Sequence, residues 1–172
     1  MMKNLFQILC GLFLVVSYSS CMHSEEDKVD VLIIGGGASG VTSGIQSARM
    51  GANTLILEES TWLGGMLTSA GVSAVDGNYR LPAGLWGEFK NRLSDYYGGL
   101  DSLKTGWVSN VLFEPSVGNK ILHEMVAAEN NLKVWKQACL EEVKRTGDEW
   151  VAKVKVEGQG VKTVSYTHLR AH

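Results

Sequence analysis

The chain has 172 residues, of which 45% are hydrophobic, and a formal net charge of −2 at pH 7. That length suits one domain, and the apolar fraction is ample for a core. The balanced charge and the lack of a basic cluster argue against nucleic acid as a partner.

Lys3 supplies a short positive start, and Leu5 to Val16 form an apolar run too short for a comfortable membrane span. Ser19 and Ser20 then precede Cys21. Residues 1–21 resemble a bacterial lipoprotein signal peptide. The resemblance implies an exported protein, periplasmic or in the outer membrane, with Cys21 as the lipidated first residue and membrane contact only through that anchor. Tyr18 stands where the lipobox usually has an aliphatic residue, so ordinary signal-peptidase cleavage stays open. Residues 22–28 read as a linker. Ser24-Glu25-Glu26-Asp27 resembles the acidic tags that send some lipoproteins to the cell surface, and a plain solvated spacer is the alternative. Of three cysteines only Cys139 falls in the folded part, so no intramolecular disulfide is expected. Cys139 lacks a CxxC partner and reads as structural.

The densest information lies in residues 30–58. Val31 to Ile34 carry no polar side chain, as expected of a parallel strand buried on both faces. Gly35, Gly36, Gly37, Ala38, Ser39 and Gly40 follow, and they open a helix. Gly35 permits a tight turn, and Gly37 lets backbone approach a pyrophosphate. Gly40 and Gly44 let the helix press on the sheet. Helix-start N–H groups then face the phosphates, and no charged residue lies between Asp30 and Arg49 to compete. Gly51 suits the left-handed position that ends the helix. A second strand, Thr54 to Leu57, closes on Glu58, where an acid can accept from both ribose hydroxyls and repel a 2′-phosphate. Strand, glycine loop, helix and acid together form the βαβ fingerprint of dinucleotide binding.

The next residues, Glu59 to Ser69, separate flavin from nicotinamide. A Gly64-Gly65 pair soon after the ribose acid resembles the second flavin motif of the glutathione-reductase-like flavoproteins. The run from Leu63 to Ser73 resembles, more closely, the FAD-dependent oxidoreductase family of bacterial genomes. The likeness covers residues 29 to about 157 and is strongest from 29 to 71. It implies cofactor contacts from Gly35, Gly36, Gly37, Ala38, Ser39 and Gly40, from Glu58 and Glu59, and from Gly64, Gly65 and Met66, with Thr68 and Ser69 beside them. It also implies that a small β-meander follows the first βαβ unit and that the backbone near Leu140 meets the adenine. No histidine lies between Ser24 and Leu122 to tether a flavin, so FAD is expected to be non-covalent.

Further along, Gly71 to Pro82 reads as a loop near the cofactor, with turn residues Asp76-Gly77-Asn78. Leu85, Trp86, Phe89, Leu93 and Tyr97 have helical spacing and suit the core. Leu100 to Glu114 is ambiguous. Pro115 suits a first helical turn, and Val117, Ile121, Leu122, Met125 and Val126 form an apolar stripe. His123 falls off that stripe and reads as exposed. Leu132 to Trp135 reads as a strand, and Val143 and Trp150 to Val156 as strands around the Thr146-Gly147-Asp148 turn.

Residues 164–172 resemble a translated sequencing-adaptor tail, which implies a non-native end and a gene cut short of its substrate domain. The expected fold is α/β and doubly wound: a Rossmann-like FAD/NAD(P)-binding domain over 29–163, with a parallel sheet and a small meander, incomplete at its C-terminus. HExxH, paired CxxC and GxSxG patterns are missing, and no metal site is expected. No catalytic residue is assigned, since such groups are expected to lie largely in the missing substrate domain. The expected function is that of an exported FAD-dependent oxidoreductase, moving hydride or electrons between a small molecule and an electron acceptor. An NAD-dependent dehydrogenase and a surface binding lipoprotein without redox activity are the alternatives.

Overall fold

The computed structural model describes residues 27–104 and 109–171. The signal-like segment, Cys21 and most of the acidic spacer lie outside the described residues.

Strand β1 (Asp27–Ile34) leads through the glycine loop into helix α1 (Ala38–Arg49), which returns to strand β2 (Thr54–Glu58). Strand β1 starts two residues before the expected domain start, because Asp27 to Val29 find ladder partners in Val164 to Tyr166. A short hairpin-like pair, β3 (Ala74–Val75) with β4 (Val111–Leu112), flanks helix α2 (Gly84–Tyr97). Helix α3 (Pro115–Ala127) and strand β5 (Leu132–Lys136) follow. Then β6 (Ala138–Thr146), β7 (Glu149–Val156) and β8 (Gly160–Ala171) form the meander.

All but β3 and β4 join one six-stranded sheet in the order β5-β2-β1-β8-β7-β6. The β5-β2-β1-β8 half is parallel, and β8-β7-β6 is antiparallel. Strand β8 serves both halves. Its residues 160–166 pair with β7, and its residues 164–171 pair with β1. The residues expected to be a foreign tail therefore occupy a central strand position.

Two cores result, one on each face, as the pleat of β1 and β2 requires. Ile33 and Ile56 face helices α1, α2 and α3, among Val41, Ile45, Leu93, Ile121 and Met125. Leu32, Leu55 and Leu57 face the other way, toward Ala138, Ala152, Val154, Val164 and Tyr166. The second face is thus covered by the meander, where a doubly wound fold would place helices. The apolar alternation of β7 and β8 supplies a layer broad enough to do so.

Most helical readings hold. Helix α2 ends at Gly98 in the left-handed region, φ 79°, and α3 has Pro115 in its first turn. The apolar stripe of α3 is buried. The ambiguous stretch holds a 3-10 turn at Leu100–Leu103 before β4. His123 is half-buried rather than exposed, because one side of it faces the protein; burial, with Lys136 nearby, holds its imidazole below the ordinary range. Cys139 is exposed rather than packed, since strand β6 turns it outward beside Glu59.

Candidate functional site

The site forms where β1 and β2 end. Gly35 leaves β1 with φ 98°, a conformation that favours glycine. Gly40 has no room for any side chain, since a Cβ there would lie 1.9 Å from the Gly35 carbonyl oxygen. A Cβ on Gly44 would meet Ile56 Cδ1 at 2.6 Å. These two positions set how closely α1 lies against the sheet. Gly37 is different: a Cβ there would meet nothing within 4 Å, so the space beside it is open.

Helix α1 begins with no side-chain cap and no acid in its first turn. Its first N–H groups therefore face outward as donors at the positive end of the helix dipole. At the far end, Arg49 pairs with Glu88 at 2.9 Å and with Glu129 at 2.7 Å. Those two carboxylates, Glu129 foremost, raise the affinity of Arg49 for its proton. The Asn131 amide donates to the carbonyls of Ala48 and Ala52 at 2.9 and 2.8 Å. The helix is thus fixed at its base while its start stays uncapped.

Glu58, the last residue of β2, is bound on both oxygens. Oε2 accepts from the Gly36 N–H at 2.7 Å, and Oε1 accepts from the Ser60 N–H at 2.8 Å. A carboxylate has about four acceptor positions, so Glu58 keeps capacity for two hydroxyls. The second glycine pair meets the first directly. The Gly64 N–H donates to the Gly36 carbonyl at 2.8 Å, and Gly37 and Gly64 form an isolated parallel bridge. Gly64 and Gly65 both adopt positive φ, 104° and 52°. A Cβ on Gly64 would strike Leu122 and Thr68.

A cavity of about 280 Å³ lies beside Glu58, lined by Ile34, Gly35, Leu57, Glu58, Glu59, Ala138 and Leu140. Leu140, 82 positions from Glu58 in sequence, therefore reaches the same space. It has an apolar floor and two acids, which suits a flat ring joined to a polyol. Met66 is 69% exposed and does not line this cavity. Cys139 donates weakly to Glu59 at 3.6 Å, and that contact, with burial second, pushes the thiol up and away from the thiolate form. Among the described residues no His, Cys, Asp and Glu cluster could hold a metal ion.

Sequence reasoning missed the supports of the second glycine pair. Asn119 Oδ1 accepts from the Leu63 N–H at 2.9 Å, and the Thr68 hydroxyl donates to the Leu63 carbonyl. Asn119 lies on α3, 56 positions from Leu63, and no local pattern links the two. Ile34 and Leu57 also line the cavity, though in sequence they read as ordinary strand core, and Ala138 lies outside every strand read from sequence.

The family model described as FAD dependent oxidoreductase matches residues 30–167. The chain belongs to that family. The cofactor is accordingly FAD, and the glycine loop, the uncapped helix start and the open space beside Gly37 fit its phosphates. No curated protein sequence matches the chain. Among solved structures it is similar to a flavoprotein/dehydrogenase from Cytophaga hutchinsonii, at 15% identity and TM-score 0.61, covering 84% of this chain and 39% of that one. It is similar to p-nitrophenol 4-monooxygenase from Pseudomonas putida, at 14% identity and TM-score 0.57, covering 84% and 40%. It is also similar to a bacillithiol disulfide reductase from Bacillus cereus, at 15% identity and TM-score 0.56, covering 84% and 39%. At such identities the likeness concerns the fold. The chain spans about two fifths of the length of these three structures.

Proposed function

We propose that this member of the FAD dependent oxidoreductase family is the N-terminal part of an exported flavoenzyme that oxidises or reduces a small molecule. One observation carries the reading: Gly36 joins three motifs at once, the glycine loop, the ribose acid and the second glycine pair. In this reading Gly35 to Gly40 and the start of α1 hold the pyrophosphate. Glu58 accepts from the ribose hydroxyls while still bracing the Gly36 N–H. Glu59 and Leu140 border the adenine. Gly64, Gly65 and Met66 run beneath the ribityl chain. Bound FAD supplies hydride or electron transfer, and this part of the chain orients it and shields its phosphates from water. The bond is non-covalent.

The export reading rests on Lys3, the short apolar run and Cys21. The reading of 164–172 as a foreign tail rests on the wording of that segment alone; the family match runs through residue 167, and residues 164–166 pair with β7.

The test is an absorbance spectrum of the full-length gene product. A yellow protein that releases flavin in acid is expected. A colourless protein that binds NAD tightly would overturn the assignment.

A further inference from the structure

A second cavity, of about 430 Å³, shares no lining residue with the one beside Glu58. Arg80, Lys90 and Lys104 line it, and Leu100, Leu103 and Val111 supply its apolar wall. None of the residues lining it is acidic.

Lys90 is the unusual member. It is 7% exposed, yet it forms no ion pair among the described residues. Its ammonium donates to the carbonyls of Tyr79 and Leu81, both at 2.8 Å, and lies 5.9 Å from the Trp86 ring centre. An ammonium has three donors, and two are used. Residues 105–108, next along the chain, contain no acid that could pair with it. Carbonyl dipoles offset only part of the cost of burying a cation. Arg80, which is exposed, is held over Tyr79, with Nε donating to its hydroxyl at 3.0 Å. Lys104 alone has a carboxylate partner, the outward-facing Asp101 at 2.8 Å.

We propose that this cavity binds a small organic acid, its carboxylate set against Lys90 and Arg80 and its apolar body against Leu100, Leu103 and Val111. The volume falls in the range of small-molecule sites, and the apolar wall favours an organic acid over inorganic phosphate. The inference is independent of the flavin assignment.

The test is calorimetric titration of the full-length protein as purified, whatever its flavin content, with benzoate, and separately with inorganic phosphate. Saturable benzoate binding is expected, weakened roughly tenfold in Lys90→Met, as for a lost charge-assisted hydrogen bond. Arg80→Gln, at an exposed position, should weaken it in the same direction without unfolding the protein. That variant decides the matter if Lys90→Met fails to fold. Benzoate binding unchanged in Arg80→Gln, no saturable benzoate binding, or phosphate bound as tightly as benzoate would each overturn the proposal.

Discussion

The carboxylate of Glu58 accepts a hydrogen bond from the Gly36 N–H at 2.7 Å, across 22 positions of sequence. The residue expected to grip the ribose is therefore also a brace for the glycine loop. Glu58→Ala removes two charge-assisted acceptors, from Gly36 and Ser60. The expected loss is about 1.5–3 kcal/mol of stability, with weaker flavin retention. Glu58→Gln keeps one acceptor oxygen and should fall between. Denaturant unfolding and flavin titration of the full-length protein check both.

Gly37 and Gly40 should separate binding from folding. Gly37→Val adds bulk to open space and needs no unusual backbone, as φ is −64°. The fold should persist while flavin is lost. Gly40→Ala drives a Cβ into the Gly35 carbonyl and should lower stability sharply. Circular dichroism melts paired with flavin absorbance distinguish the two. Full flavin occupancy in Gly37→Val would contradict the assigned loop.

Tyr166→Phe should stabilise the chain. The hydroxyl it removes is buried and unpartnered, and such groups cost about 1–3 kcal/mol. The ring itself is retained in the core formed by Leu32, Ala152 and Val164. A higher melting temperature than wild type is the expected readout for the 172-residue chain. An unchanged or lower one would mean that the hydroxyl finds water.

His123 gives a pH dependence with a defined sign. Its imidazole titrates below the ordinary value of 6.5 because burial, then Lys136, disfavours the cation. The unfolded chain therefore takes up the proton first as pH falls. Stability from this group is present above pH 6.5 and is lost as the pH drops toward its lower folded value. The slope of melting temperature against pH in that window should flatten in His123→Gln.

Metabolic labelling with a palmitate analogue should mark the wild type and not Cys21→Ser. Equal labelling of both would remove the lipid anchor from the proposal. Labelling of neither, with export intact, would favour ordinary signal cleavage.

The local half of this fold was open to sequence reasoning. Gly35, Gly40, Gly51 and Gly98 each answer to a local backbone or steric demand, and the stripe from Val117 to Val126 answers to helical period. Contacts that close over long sequence distances were not open to it. Nothing near Leu63 announces Asn119. The wording of the segment from Val164 reads as foreign, yet Val164 and Tyr166 alternate as a strand must and pair with β7. The residue type of Cys139 suggests a packed position, while its exposure depends on which way β6 presents it. The cofactor motifs were legible because phosphate binding uses backbone, and backbone demands leave glycines in the text.

The two peptide groups flanking Gly36 are each held, the one before it through its N–H by Glu58 and the one after it through its carbonyl by the Gly64 N–H. Such a pair cannot be inherited piecemeal. A glycine loop transplanted into another α/β protein without the acid and the second glycine pair would arrive with both of these peptide planes free to rotate. Substitutions at Gly36, Glu58 and Gly64 should therefore be non-additive. Drift at one of them constrains what the other two can become, so the three segments are expected to vary as one unit across descendants of this fold.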